Sequence, residues 1–358
     1  MPRRTWNRLA KWSEQLTAET CAAELEILHQ PLLLDELGLP RAIRNILKQS
    51  TPLTPAITRV MRFDFHYTTQ GWRISEVNSD VPGGFAEASD LTAAMAAHYP
   101  PAQPAGDPAS AWAEAIARSA KGGRVALLAA PGYMEDQQIM AYLARKLATR
   151  GCTARLATPG QIQWKNGIAH LDSTWFAGEL AAVVRFYQGE WLARLPLRCG
   201  WPHFFRGGRT PVSNAGLALI SESKRFPLVW DRLRTALPAW RALLPETRHP
   251  RAVDWTKGDK WVLKSALSNN GDAVCMRELM SARVWRGKEW SARLFPGALV
   301  AQRRFEPAPL RTSDGPVYPC IGVYTIDGRA AGAYARYSPK QLIDFAAIDV
   351  ALLVTADE

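Results

Sequence analysis

Cysteine is scarce in this 358-residue chain. There are five, at Cys21, Cys152, Cys199, Cys275 and Cys320, widely spaced, odd in number and without a Cys-x-x-Cys pair. This excludes a disulfide framework and a zinc ribbon, and predicts reduced thiols. The six histidines include no His-x-x-x-His pair, so helical zinc chemistry is not expected either. No apolar run approaches the roughly 20 residues of a membrane span. Met1-Pro2-Arg3-Arg4 leads into Trp6 and Leu9 without a signal-peptide apolar block. The expectation is a soluble, cytoplasmic protein with no membrane partner. Gly-x-Gly-x-x-Gly is missing where a dinucleotide site would need it, since the first strand-to-helix turn reads Ala130-Pro131-Gly132-Tyr133. Lys and Arg number 44 against 33 Asp and Glu, a formal net charge of +11. The cations are dispersed, and beyond Met1–Arg8 no Lys/Arg block of a nucleic-acid tail appears. No nucleic-acid partner is expected, and the excess charge points to small anionic ligands such as ATP.

What is present is a chain able to bury a large core, with 47% hydrophobic residues. Residues 6–49 read as helices broken at Pro31 and Pro40. Ser89–His98 reads as a short Ala-rich helix, and the Pro/Ala/Gly-rich stretch 100–108 marks a boundary. After it come a helix over Ala109–Ala120 closed by Lys121-Gly122-Gly123, a buried strand Arg124–Ala129, a helix over 135–149 stopping at Gly151, and a strand Thr153–Leu156. That order is a βαβ unit and predicts a small Rossmann-like lobe, with Ala182–Phe186 as a further strand. A helix is expected from Lys224 through Trp230 and Leu233, then a short strand Trp261–Lys264, and a strand from Leu299 leaving into a connector at Pro307. Tyr318–Ile326 and Ala330–Arg336, joined by Asp327-Gly328-Arg329, read as a hairpin.

The chemistry gathers in an earlier hairpin. Along Met61–Tyr67 the side chains alternate, with Met61, Phe63, Phe65 and Tyr67 on one face and Arg62, Asp64 and His66 on the other. In the returning strand Ile74, Glu76 and Asn78 share a face. Pairing Asp64 with Glu76 sets Arg62 opposite Asn78 and His66 opposite Ile74, and leaves Thr69-Gln70-Gly71 as a three-residue loop with Gly71 left-handed. Two carboxylates and an amide offer oxygen ligands that suit magnesium. An arginine beside them is shaped for phosphate. The set reads as a magnesium-nucleotide site; on spacing alone, a solvated surface hairpin fits equally well.

Arg62-x-Asp64 followed by Glu76-x-Asn78-x-Asp80-x-Pro82-Gly83-Gly84 and Glu87 resembles the magnesium and phosphate signature of the synthetase domain of glutathionylspermidine synthase. The resemblance runs from about residue 58 to 353. It implies a mixed α/β, circularly permuted ATP-grasp fold with a Rossmann-like pre-ATP-grasp lobe. The segments would be an N-terminal helical appendage (1–50), an ATP-grasp segment with the hairpin (51–105), the pre-ATP-grasp lobe (106–213) and the nucleotide-binding lobes (214–358). It implies an ATP-dependent ligase joining a carboxylate to an amine through an acyl phosphate, with no amidase half. Metal ligands would be Asp64, Glu76 and Asn78, and phosphoryl contacts Arg62 and Arg336. ATP would be held by Lys224, Lys264, Gly271, Gln302 and Phe305, and ATP and Mg2+ would be the cofactors. The stretch around Tyr187, Glu190 and Trp191 would lie near the acceptor pocket. The chain departs from the family in two places: Ser268-Asn269-Asn270-Gly271 replaces a Gly-Arg-Glu-Gly-like run, and Tyr337 follows Arg336 where an acidic partner is usual. These departures motivate an alternative, a nucleotide-binding or scaffold protein that has lost ligation. The positive net charge favours an acidic donor over a polyamine acceptor.

Overall fold

The computed structural model describes residues 1–49, 58–171, 176–257, 260–268 and 274–357. At its centre an antiparallel sheet runs in the order Ile348–Val350, Arg329–Ser338, Gly315–Ile326, Val60–Thr68, Gly71–Asn78. Two hairpins remote in sequence are therefore zipped together, Val60–Phe65 pairing with Ile321–Ile326. The second hairpin turns at Asp327 (φ 48°) and Gly328 (φ 82°), the left-handed pair that a two-residue turn requires.

The N-terminal helix Arg3–Leu28 packs on this sheet through Leu9, Leu16, Thr20, Ala23 and Ile27, spaced three, four or seven apart on one stripe. Thr17 Oγ1 meets Thr325 Oγ1 at 2.8 Å, and Thr20 Oγ1 accepts from the indole of Trp240 at 3.0 Å. Trp240 in turn lies edge-on to Phe63 and Phe226, so helix, hairpin and the 226–243 segment share one aromatic core. Beyond Leu28 the chain continues through a tight turn, Pro31–Leu37, closed by Gly38 at φ 68°, into the helix Arg41–Gln49.

A second sheet is parallel, in the order Val212–Ser213, Ala182–Phe186, Arg124–Ala129, Thr153–Ala157. The helices Pro108–Ala120 and Met134–Ala148 connect to it, and its central strands are buried and apolar as the sequence predicts, except for exposed Arg124 and buried Arg185. A small antiparallel hairpin, Ile162–Lys165 with Ile168–Leu171, is inserted before the third strand and was not anticipated. A third sheet places Trp261–Ser265 between Leu299–Arg303 and Val274–Cys275.

Three expectations are corrected. Tyr67 is 53% exposed and packs on Trp72 at the strand's open end, so the core face stops at Phe65. The helix expected after Lys224 is present but is a 3-10 helix, Phe226–Arg232, ending one residue short of Leu233, with Val229 and Trp230 buried in the core. The predicted strand from Leu299 ends at Arg303, short of Pro307. No two of the five cysteines are joined by a disulfide. Among the described residues no helix is long and apolar enough to cross a membrane.

Candidate active site

The first hairpin keeps the predicted register where it matters: Arg62 faces Asn78 and Asp64 faces Glu76. Beyond Asp64 it slips by one, so Phe65 faces Ile74 and His66 faces Arg73 instead of Ile74. Ser75 is the extra residue, a β-bulge. It turns the Ser75 carbonyl toward Lys264, whose Nζ donates to it at 3.0 Å, and brings Ser75 Oγ within 3.1 Å of His66 Nε2. Gly71 has φ 87°, left-handed as expected, but it pairs with Thr68 as the first residue of the returning strand, so the loop is the two residues Thr69-Gln70 and not three.

Asp64 is the most heavily engaged carboxylate. Arg62 grips it with a two-pronged fork, Nε to Oδ1 at 2.8 Å and NH2 to Oδ2 at 3.1 Å. Arg336 NH2 reaches Oδ2 at 2.9 Å, and Asn78 Nδ2 reaches it at 3.2 Å. Burial raises this carboxyl, but Arg62 and then Arg336 override it and hold it at about 2. The acidic partner missing at position 337 is thus supplied by another strand, and Asp349 also stands opposite Arg336 on the sheet's edge. Arg62 additionally donates to the Gly83 carbonyl at 3.0 Å and lies over the Tyr334 ring.

Glu76 pairs with Lys224 at 3.2 Å, and Lys224 also donates to the Ser268 carbonyl at 2.8 Å. Burial raises Glu76, but Lys224 and Lys264 outweigh it and bring it below its ordinary value. Lys264 is lowered to about 8, first by burial and also by Lys224, with Glu76 opposing. His66 is lowered to about 4, chiefly by burial, and is therefore neutral near pH 7.

These groups line one cleft. Its floor carries Arg62, Asp64, His66, Glu76, Asn78, Lys264 and Arg336, and Val262, Met276, Phe305, Leu342 and Ile343 form apolar walls. The Phe305 ring packs against His66, tilted by 44° with centroids 5.1 Å apart. Gln302 also faces the cleft, its amide donating to Thr247 Oγ1 at 3.0 Å. Lys224 stands behind Glu76, beside a small adjoining cavity with Glu222. Gly271 lies outside the described residues, as does most of the loop that includes it. The stretch Gln341–Ile343 lines the cleft although nothing in its sequence signals a site.

A second, larger cleft shares Arg62, Asn78 and Arg336 with the first and extends toward the parallel sheet. Six carboxylates, Glu87, Glu135, Asp136, Glu190, Asp344 and Asp349, line it against three cations, Arg62, Arg194 and Arg336. Burial raises Glu87, Glu190 and Asp349; burial and Glu135 push Asp136 up to about 6. Tyr133 and Trp191 lie 5.0 Å apart in the same wall. The basic net charge gave no hint of this acidic lining, because the dispersed arginines lie elsewhere. In sequence Glu135 and Asp136 only mark the start of a helix, whose acidic first turn they form.

Among the described residues no group of three or more His, Cys, Asp or Glu side chains is placed to hold a metal ion. Asp64, Glu76 and Asn78 are the oxygen-bearing groups that a magnesium ion would take here, competing with Arg62 and Arg336 for Asp64 and with Lys224 for Glu76. That ion typically takes one or two carboxylates and completes its shell with water and substrate phosphates. Asn78 turns its nitrogen to Asp64, which leaves its carbonyl oxygen as a donor.

Against known proteins, the family model described as "Glutathionylspermidine synthase preATP-grasp" matches residues 3–352. No curated protein matches. Among solved structures, a glutathione synthetase-like effector from Globodera pallida, in apo form, superposes with a TM-score of 0.65 at 12% identity, over 100% of this chain and 88% of that one. A candidate gamma-glutamylcysteine synthetase from Methylobacillus flagellatus KT is similar at a TM-score of 0.47 and 10% identity, over 94% of this chain and 88% of that one. The first supports a shared fold; the second is too distant to carry an argument.

Proposed function

This chain belongs to the glutathionylspermidine synthase preATP-grasp family, and we propose that it is an ATP-dependent ligase that joins a carboxylate to a cationic amine. The reading includes a circularly permuted ATP-grasp arrangement, with the helical segment 1–50, the hairpin segment 51–105, a Rossmann-like lobe 106–213 and nucleotide-binding lobes 214–358. The observation that carries it is the meeting of two clefts at Arg62, Asn78 and Arg336. One has apolar walls and a floor of phosphate-type ligands; the other is acidic and aromatic.

In the first cleft ATP would lie with its base between the apolar walls near Gln302 and Phe305, and its phosphates toward Lys264, with Lys224 behind Glu76. Asp64, Glu76 and Asn78 would hold magnesium, which supplies charge neutralisation on the phosphates. The acid substrate's carboxylate attacks the γ-phosphorus, ADP leaves, and an acyl phosphate forms. The amine nitrogen then attacks the acyl carbon, inorganic phosphate leaves, and an amide results. Arg336, with one nitrogen on Asp64 and its side chain 18% exposed to the cleft, donates to the phosphoryl oxygens as charge develops. Arg62 is spent on Asp64 and Gly83, so its part is to fix that carboxylate and to set the field at the junction of the clefts.

The amine must shed a proton before it attacks. Glu190, Glu87 and Asp349 are raised by burial, which makes them stronger bases than an ordinary carboxylate. Six carboxylates and an aromatic pair also fit an amine with more than one positive charge, through ion pairing and cation–π contact. This reverses the expectation, drawn from net charge, that a polyamine acceptor is disfavoured. The test is release of ADP and phosphate from Mg-ATP against panels of acids and amines, with mass spectrometry of the products. Release requiring both an acid and a di- or polyamine, with a new amide mass, is expected. Mg-ATP binding without turnover across the panel would overturn ligation in favour of a nucleotide-binding role.

A further inference from the structure

The hairpin that carries Asp64, Glu76 and Asn78 belongs to the central sheet, whereas Glu190 and Trp191 lie in a short helix, Gly189–Leu192, that follows a strand of the parallel sheet. They are tied together by a fully buried ion pair, beside which the Asn214 side chain donates to the carbonyls of Val60, Ser79 and Asp80. Asp80, two residues beyond Asn78, contacts Arg185 at the end of a parallel strand, and both side chains are 0% exposed. Every arm of the pair is used. Asp80 Oδ2 accepts from the Gly189 backbone N–H at 2.7 Å, and Arg185 donates to the carbonyls of Tyr187 at 2.6 Å and Asn214 at 3.0 Å. A Cβ at position 189 would stand 3.1 and 3.2 Å from the two Asp80 oxygens, so glycine there permits the approach. The next residues, Glu190 and Trp191, enter the acidic cleft.

A buried ion pair gains little net stability over well-packed apolar residues, because both charges must be stripped of water. What it does supply is geometry: the carboxylate's two oxygens and the guanidinium's fork accept few alternative arrangements. We infer that Asp80 and Arg185 are positioning residues that hold the Gln188–Trp191 turn, and with it the amine-binding wall, at a fixed offset from the phosphate-binding hairpin. This inference rests on the proposed function, because it takes the acidic cleft to be the amine site. Neither residue touches substrate.

The test separates amine binding from nucleotide binding. Two variants are made in the full chain: the double variant Asp80→Asn/Arg185→Met, which removes both charges together, and Gly189→Ala, which keeps the pair but wedges it. Calorimetry with a linear triamine and, separately, with Mg-ATP gives the two dissociation constants. The triamine constant is expected to rise about tenfold or more in the double variant and about threefold in Gly189→Ala, a tenfold change being about 1.4 kcal/mol. The Mg-ATP constant should stay within about twofold, and where ligation is measured KM for the amine should rise more than kcat falls. If the double variant does not fold, Gly189→Ala decides alone. Triamine affinity within twofold of the parent in a folded variant would overturn the inference, as would a parent protein that does not bind triamine. A parent that binds triamine yet forms no amide would overturn the ligase reading while leaving the positioning role to be judged by the dissociation constants.

Discussion

Replacing Arg336 with alanine should separate the chemistry of the site from its stability. Arg336 gives Asp64 one charged hydrogen bond, at 2.9 Å. Its loss does not orphan the carboxylate: Arg62 still donates twice, at 2.8 and 3.1 Å, and Asn78 once, at 3.2 Å. The stability cost is therefore that of one charge-assisted bond, about 1.5–3 kcal/mol, and not the larger penalty of an unpaired buried charge. For a chain of this size that lowers Tm by only a few degrees. The loss in rate should be far greater. A charged donor aimed at oxygens that gain charge in the transition state is commonly worth about 3–4 kcal/mol, or two to three decades in kcat. Arg336→Lys should recover little, since an ammonium group cannot serve Asp64 and a phosphoryl oxygen with the planar fork. The assay is acid- and amine-dependent ADP release at saturating substrate, beside a thermal melt of the same preparation. Turnover within about threefold of the parent, with the small fall in Tm, would refute the role given to Arg336.

Two further outcomes follow from the same geometry. Lys264, lowered to about 8 by burial, should be protonated and able to hold phosphate below that pH; because phosphate binding favours the charged form, Mg-ATP affinity should be flat below about pH 8 and weaken above it, with proton uptake on binding near pH 8–9. Titration calorimetry in buffers of different ionisation enthalpy reads this directly, and affinity that strengthens above pH 8 would contradict it. Gly84 sits at φ 84°, and a Cβ there would lie 2.7 Å from Tyr324 Oη and from the Tyr334 ring, so Gly84→Ala should cost about 2 kcal/mol or more by strain and overlap. A denaturant midpoint unchanged from the parent would show that this turn is looser than described.

Local pattern was enough to bring the polar groups of the candidate site to one face of a hairpin. Alternation along Met61–Asn78 depends on neighbours two residues apart, and so the facing of Arg62 with Asn78 and of Asp64 with Glu76 followed from the chain itself. The βαβ order around Arg124–Ala129 and the Asp327-Gly328 turn were legible for the same reason, since each is a contract between residues close in sequence. What sequence could not decide was long-range. The Ser75 bulge depends on Lys264 reaching in from another sheet. The carboxylate that answers Arg336 comes from Asp64, 272 residues away. The acidic lining of the second cleft is assembled from segments around 87, 135, 190 and 349, each unremarkable alone, while the net charge of +11 pointed the other way. Net charge sums over the whole surface, but a bound ligand meets only the groups that packing brings within a few ångströms, where screening is weakest. Sequence determined which polar groups share one face of the hairpin; tertiary structure decided what stands beside them.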